Sequence, residues 1–76
     1  MMTISSLTFS YHAGVERAER VAFIDEHIGW GQIIKEAYYH GCYHCITDTG
    51  VALVVDNNKQ TIITLYLVDA MELQRT

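Results

Sequence analysis

Between residues 46 and 67 the chain reads ITDTGVALVVDNNKQTIITLYL, two apolar runs of strand length separated by turn signals. Val51–Val55 is long enough for one strand and follows the turn chemistry of Asp48, Thr49 and Gly50. Asp56, Asn57, Asn58 and Lys59 turn the chain again, because Asn tolerates positive φ. The segment from Gln60 to Val68 is the longest strand signal, and Thr64 and Tyr66 within it share one face at i, i+2. Tyr43–Thr47 supplies one more strand upstream. The connections are short, so the three strands form an antiparallel meander.

Working outward, Gly41 stands at the end of a segment whose apolar residues Trp30, Ile33, Ile34, Ala37 and Tyr38 repeat at helical spacing. This predicts a helix from about Gly31 to His40, closed by Gly41. A first helix is predicted from Gly14 to about His27, with Val15, Ala18, Val21 and Ala22 facing inward. Glu16 and Arg20 are spaced i, i+4 on its outer side and are expected to pair. Thr3–Ser10 reads as a short strand or extended arm, and Asp69–Thr76 as a short helical or frayed end. The predicted order is β-α-α-β-β-β: an α+β fold of two helices on one face of a small antiparallel sheet, in one domain over residues 1–76.

Half of the 76 residues are hydrophobic and only 18% are charged, which excludes a disordered chain. So many apolar residues in so small a domain favour a homodimer. The net charge of −4 argues against broad, nonspecific nucleic-acid binding, and it suits a protein that covers a basic surface on a partner. No apolar run approaches the ~20 residues that span a bilayer. The start MMTISSLTFS has no basic n-region, so a cytoplasmic location with reduced cysteines is expected and no membrane partner.

Tyr11–Arg20, YHAGVERAER, gathers His12, Arg17 and Arg20 at the opening of the first predicted helix. Metal-independent RNA cleavage needs a base for the 2′-hydroxyl, a cation for the phosphorane and an acid for the leaving oxygen. His12 suits the base or acid role, Arg17 and Arg20 the cation role, and Thr64 and Tyr66 offer hydroxyls from the last strand. No cofactor is required. The same residues also fit a solvated helix face beside a half-buried strand.

His12-Ala13, Arg17 and Glu19-Arg20 resemble the H-A-x-x-R-x-x-E-R start of small phage and prophage proteins related to RelE-type toxins. These are members of the barnase, EndoU, colicin and RelE class (the BECR fold) of metal-independent ribonucleases. The resemblance implies two N-terminal helices before a four-stranded antiparallel sheet. It also implies a site formed by His or Arg of the helical part and polar residues of the last strands. Here four residues separate His12 from Arg17 where three are usual, and the acidic balance departs from the basic character of such toxins.

His40-Gly41-Cys42-Tyr43-His44-Cys45 places four metal-ligand side chains within six residues, with C-x-x-C spacing. His40, Cys42, His44 and Cys45 are thus weak candidates for zinc. Trp30 and Tyr38 lie on the apolar stripe and are expected in the core, whereas Tyr39 falls off it and suits a partner-binding surface. Three functions follow: a RelE-like ribonuclease or its inactive relative acting on RNA, a small acidic module that regulates a host protein, and a zinc-stapled domain.

Overall fold

The computed structural model describes residues 3–68. A 3-10 turn, Ile4–Ser6, leads into β1 (Thr8–Phe9). A helical segment follows, made of a π turn (His12–Glu16), α1 (Ala18–Phe23) and a second π turn (Ile24–Ile28). Four strands follow among the described residues: β2 (Ile33–Tyr39), β3 (Cys42–Thr47), β4 (Val51–Val55) and β5 (Thr61–Leu67). With β1 they form one five-stranded sheet in the order β1-β5-β4-β3-β2. The fold is α+β, as the sequence predicts. The sheet is mixed, because β1 runs parallel to β5 while the other pairs are antiparallel.

The second predicted helix is not present: Ile33–Tyr39 is a strand. Two things override the helical spacing. Ile33, Ile34, Tyr38 and Tyr39 are strand formers. His40 and Gly41 both take positive φ, 54° and 77°, and close a two-residue hairpin onto β3. Gly41 is thus a hairpin residue rather than a helix terminator. The register shifts between Ile33 and Lys35, which marks Ile34 as an extra residue. That bulge keeps Ile33 in the core while turning Lys35, Ala37 and Tyr39 to the opposite face.

The helical segment covers one sheet face. Ala13 and Ile24 are buried against Ile33, Cys45, Val51, Leu53, Val55, Ile62 and Leu65, with Val21, Ile28 and Trp30 packed alongside. The expected inward set is corrected in part: Val15, Ala18 and Ala22 are exposed, and only Val21 turns toward the core. The π turns account for this. The Arg17 amide donates to the His12 carbonyl at 3.0 Å and the Gly29 amide to that of Ile24 at 2.7 Å, each five residues back. A wider turn rotates every later residue about the axis.

Beyond the reach of the helix, the same face carries Tyr38, Tyr43, Glu36 and Lys59. The Lys59 ammonium lies 4.7 Å from the Tyr43 ring centre and 3.6 Å from the Glu36 carboxylate, and Tyr38 packs against Tyr43 at 4.8 Å. Tyr38 is therefore not a core residue; it is 56% exposed. Trp30 is half-buried, its indole N–H held by the Asp25 carboxylate. Among the described residues no helix is long and apolar enough to cross a membrane. Asp69–Thr76 lies outside the described residues.

Candidate functional site

The other sheet face has no helix over it among the described residues. Strand register fixes what it displays. Lys35, Ala37 and Tyr39 of β2 align with Ile46, His44 and Cys42 of β3. Ala52 and Val54 of β4 follow, and beside them Tyr66 and Thr64 of β5. A shallow cleft of about 220 Å³ crosses this face, lined by Lys35, Ala37, Tyr39, His44, Ile46, Ala52 and Tyr66. Small Ala37 and Ala52 form its floor, and the longer side chains form its walls.

His44 is the chemical centre of the cleft. Its imidazole stacks on the Tyr39 ring at 4.0 Å between centres and 17° between planes. Its Nε2 is buried and, among the described residues, makes no hydrogen bond. Leaving such a nitrogen unpaired costs about 1–3 kcal/mol. Tyr39 itself is 52% exposed, so the aromatic step is open to solvent on its outer side. Lys35 makes no ion pair among the described residues. The cleft thus combines a stacked aromatic pair, an ammonium, a phenol and an imidazole nitrogen with unused hydrogen-bonding capacity.

The residues expected to form one site are divided between two faces. Thr64 and Tyr66 are on the open face with the cleft. His12, Arg17 and Arg20 belong to the helical segment on the covered face. His12 Nδ1 faces the Glu16 carboxylate at 3.6 Å, so Glu16 is partnered with His12 and not with Arg20. Arg20 instead donates from Nη1 to the Leu65 carbonyl at 2.7 Å. That carbonyl points off the β5 edge, and Arg20 acts there as a strap between helix and sheet. Arg17 lies with Glu16, Glu19, Phe23 and Leu67 around a separate open cleft of about 710 Å³, where carboxylates sit beside the guanidiniums. A third cleft of about 600 Å³, between Ile4, Trp30 and Ile33, carries no titratable side chain in its lining.

The four weak zinc candidates are divided between the two faces and the hairpin turn. Alternation along β3 sends His44 to the open face and Cys45 into the core, where it is 1% exposed. Burial, reinforced by the nearby Glu36 carboxylate, pushes the Cys45 thiol up to about 11. His40 is in the hairpin turn, and the described residues contain no group of three or more side chains arranged to hold a metal. Cys42 and Cys45 are free thiols.

Tyr39, expected at a partner surface, is one wall of the cleft, and Tyr66 is another. Spacing alone does not single out Lys35, and the sequence offers His44 only as a metal candidate. The signal that finds them is the period-two pattern Lys35, Ala37, Tyr39, legible only once β2 is known to be a strand. No protein-family model, curated protein or solved structure matches the chain.

Proposed function

We propose that the chain is a RelE-like domain of phage or prophage type whose open sheet face receives single-stranded RNA, either as a metal-independent ribonuclease or as a relative that binds without cleaving. The carrying observation is His44: a stacked imidazole with an unpaired ring nitrogen, in a cleft that also holds Lys35, Tyr39 and Tyr66. Unstacked RNA bases bind on aromatic rings, and the Tyr39–His44 pair offers a stack that a base extends. Rotation of the stacked pair as the base docks opens a path to the buried Nε2. Imidazole is the side chain suited to proton transfer near neutral pH.

In the cleaving version, His44 Nε2 takes the proton of the 2′-hydroxyl and the 2′-oxygen attacks phosphorus. The Lys35 ammonium balances the charge gathering on the phosphoryl oxygens. The bond to the 5′-oxygen breaks, and the Tyr66 hydroxyl supplies the proton that oxygen needs. The products are a 2′,3′-cyclic phosphate and a free 5′-hydroxyl. Thr64 is a second hydroxyl on the same face. Free thiols and the lack of a membrane-crossing helix among the described residues suit a cytoplasmic site of action.

The test is cleavage of short single-stranded RNA in EDTA by wild type, His44→Ala and His12→Ala. Loss in His44→Ala with retention in His12→Ala supports the sheet-face site. The reverse pattern refutes it and restores the helix-opening site. The net charge of −4 favours the second reading, a module that regulates a host protein. Absence of both cleavage and oligonucleotide binding in the wild type selects that reading.

A further inference from the structure

We infer that β2 is a self-pairing edge: two copies of this chain join β2 to β2 antiparallel about a two-fold axis through Ala37, making one continuous ten-stranded sheet. The inference concerns the sheet edge and does not depend on the ribonuclease reading.

The two edges of the sheet are treated differently. On one side β1 has two residues, and past it the Ser10 hydroxyl and the Arg20 guanidinium occupy the Ile63 and Leu65 carbonyls of β5. That edge is blunted. On the other side β2 has seven residues and, among the described residues, pairs only with β3. Long open edges are templates for another strand. The hairpin fixes which groups face outward. A two-residue loop is closed by a hydrogen-bonded pair, here Tyr39 and Cys42, and bonded and non-bonded pairs alternate from there. Ala37 and Lys35 therefore bond to β3, and the amides and carbonyls of Glu36 and Tyr38 point to the free side. The same alternation, carried across β4, sends the Leu65 carbonyl off the β5 edge, where Arg20 is found.

The side chains say what fits. A two-fold axis perpendicular to the sheet sets one residue opposite itself. An axis at Lys35 or Glu36 would oppose like charges. One at Ile34 falls on the bulge, and one at Tyr38 runs into the hairpin turn. An axis at Ala37 sets two small side chains face to face. It places Glu36 opposite the partner's Tyr38, a carboxylate facing a phenol hydroxyl donor. It places Lys35 opposite the partner's Tyr39, an ammonium facing an aromatic ring. The outward amides of Glu36 and Tyr38 then form the hydrogen-bonded pairs of the seam. The open faces become continuous, so each cleft gains the partner's Lys35 beside its own Tyr39.

Sedimentation of the full chain over a range of concentrations reads the assembly, and cysteine cross-linking reads the register. In a Cys42→Ser background, Ala37→Cys sets two thiols across a non-hydrogen-bonded pair, at ~4.5 Å between Cα atoms, within the range a disulfide accepts. Mild oxidation should give a covalent dimer. Tyr38→Cys in the same background faces the partner's Glu36 and should form no covalent cross-link. Ala37→Lys opposes two ammonium groups and should weaken association roughly tenfold or more. A wild type that sediments as a monomer throughout, with no cross-link in Ala37→Cys, overturns the proposal. So does cross-linking of Tyr38→Cys as efficient as that of Ala37→Cys, or a dimer that Ala37→Lys leaves unchanged.

Discussion

Gly31→Ala is a severe change confined to one methyl group. Gly31 enters β2 at φ +64°, where a side chain costs about 1–2 kcal/mol. An added Cβ would also meet the Asp48 Oδ1 at 2.0 Å and the Thr49 Cγ2 at 2.8 Å. Asp48 cannot yield freely, because Oδ1 accepts the Gln32 amide at 3.0 Å while the Asp48 amide donates to the Gln32 carbonyl at 2.9 Å. Pushing the carboxylate aside forfeits the first of these bonds, about 1 kcal/mol at an exposed site. The sum is roughly 2–3 kcal/mol, against roughly 4–11 kcal/mol for a domain of this size. With a urea m-value of about 1 kcal/mol/M, the unfolding midpoint should fall by about 2–3 M. The double variant with Asp48→Ala isolates the collision. There the hydrogen bond is already gone and the closest clash, with Oδ1, is removed while that with Thr49 Cγ2 stays, so Gly31→Ala should cost about 1 kcal/mol less than in the wild type. Full additivity of the two changes, or a Gly31→Ala midpoint within error of wild type, would refute the reasoning.

Other expectations follow from single contacts. Thr47 is fully buried; its hydroxyl meets that of Thr49 at 2.9 Å and accepts the Val51 amide at 3.1 Å, so Thr47→Val should cost about 1–3 kcal/mol in the same urea assay. Alkylation of native protein followed by mass spectrometry should mark half-buried Cys42 first and Cys45 only on unfolding, because burial holds the Cys45 thiol protonated. The Asp56 carboxylate accepts the Gln60 and Thr61 amides at 2.8 and 2.9 Å, which lowers its pKa below the usual value. Its stabilising effect is present above the unfolded value of ~3.9 and fades as pH falls through the lower folded value, so Asp56→Asn should be less stable than wild type at neutral pH and the gap should close in acid. If Lys35 is the phosphate contact on the open face, log affinity for short single-stranded RNA should fall with log salt at a slope of about −0.7 per chain, and a slope of about −1.4 would move binding to Arg17 and Arg20.

The three later strands were legible because nothing competes with their signals. Val51–Val55 and Thr61–Leu67 are apolar or β-branched and bounded by Asp, Asn and Gly, and local and tertiary preferences agree. Residues 31–40 carry two signals at once. Trp30, Ile33, Ile34, Ala37 and Tyr38 satisfy a helical stripe, while a bulge at Ile34 breaks the period of two that would have exposed a strand. The parallel pairing of β1 rests on contacts between Thr8 and Thr61 and between Phe9 and Ile62, more than fifty residues apart, which no local pattern records. The site suffered from the same ambiguity. The sequence marks both Tyr39 and Tyr66, but on separate grounds. Only a strand at Ile33–Tyr39 puts them on one face with His44 and Lys35.

The placement of the basic side chains decides what kind of ligand the open face suits. Arg20 is spent on the Leu65 carbonyl, and Lys59 on Glu36 and the Tyr43 ring. Arg17 sits beside Glu16 and Glu19 around the other cleft. Within the described residues that leaves Lys35 as the cation on the open face, in a chain whose net charge is −4. Such a face gains little from counterion release, so affinity there must come from rings, at roughly 1–3 kcal/mol per stacked base. A duplex hides its bases, and a long polyanion is repelled by the rest of the surface. On the proposed RNA-binding reading, the ligand class consistent with both constraints is a short, unstacked, single-stranded segment of one or two bases per chain. The proposed pairing of two β2 edges would double both the rings and the cations along one groove, and a segment spanning the two-fold axis would bind more tightly than either cleft alone allows.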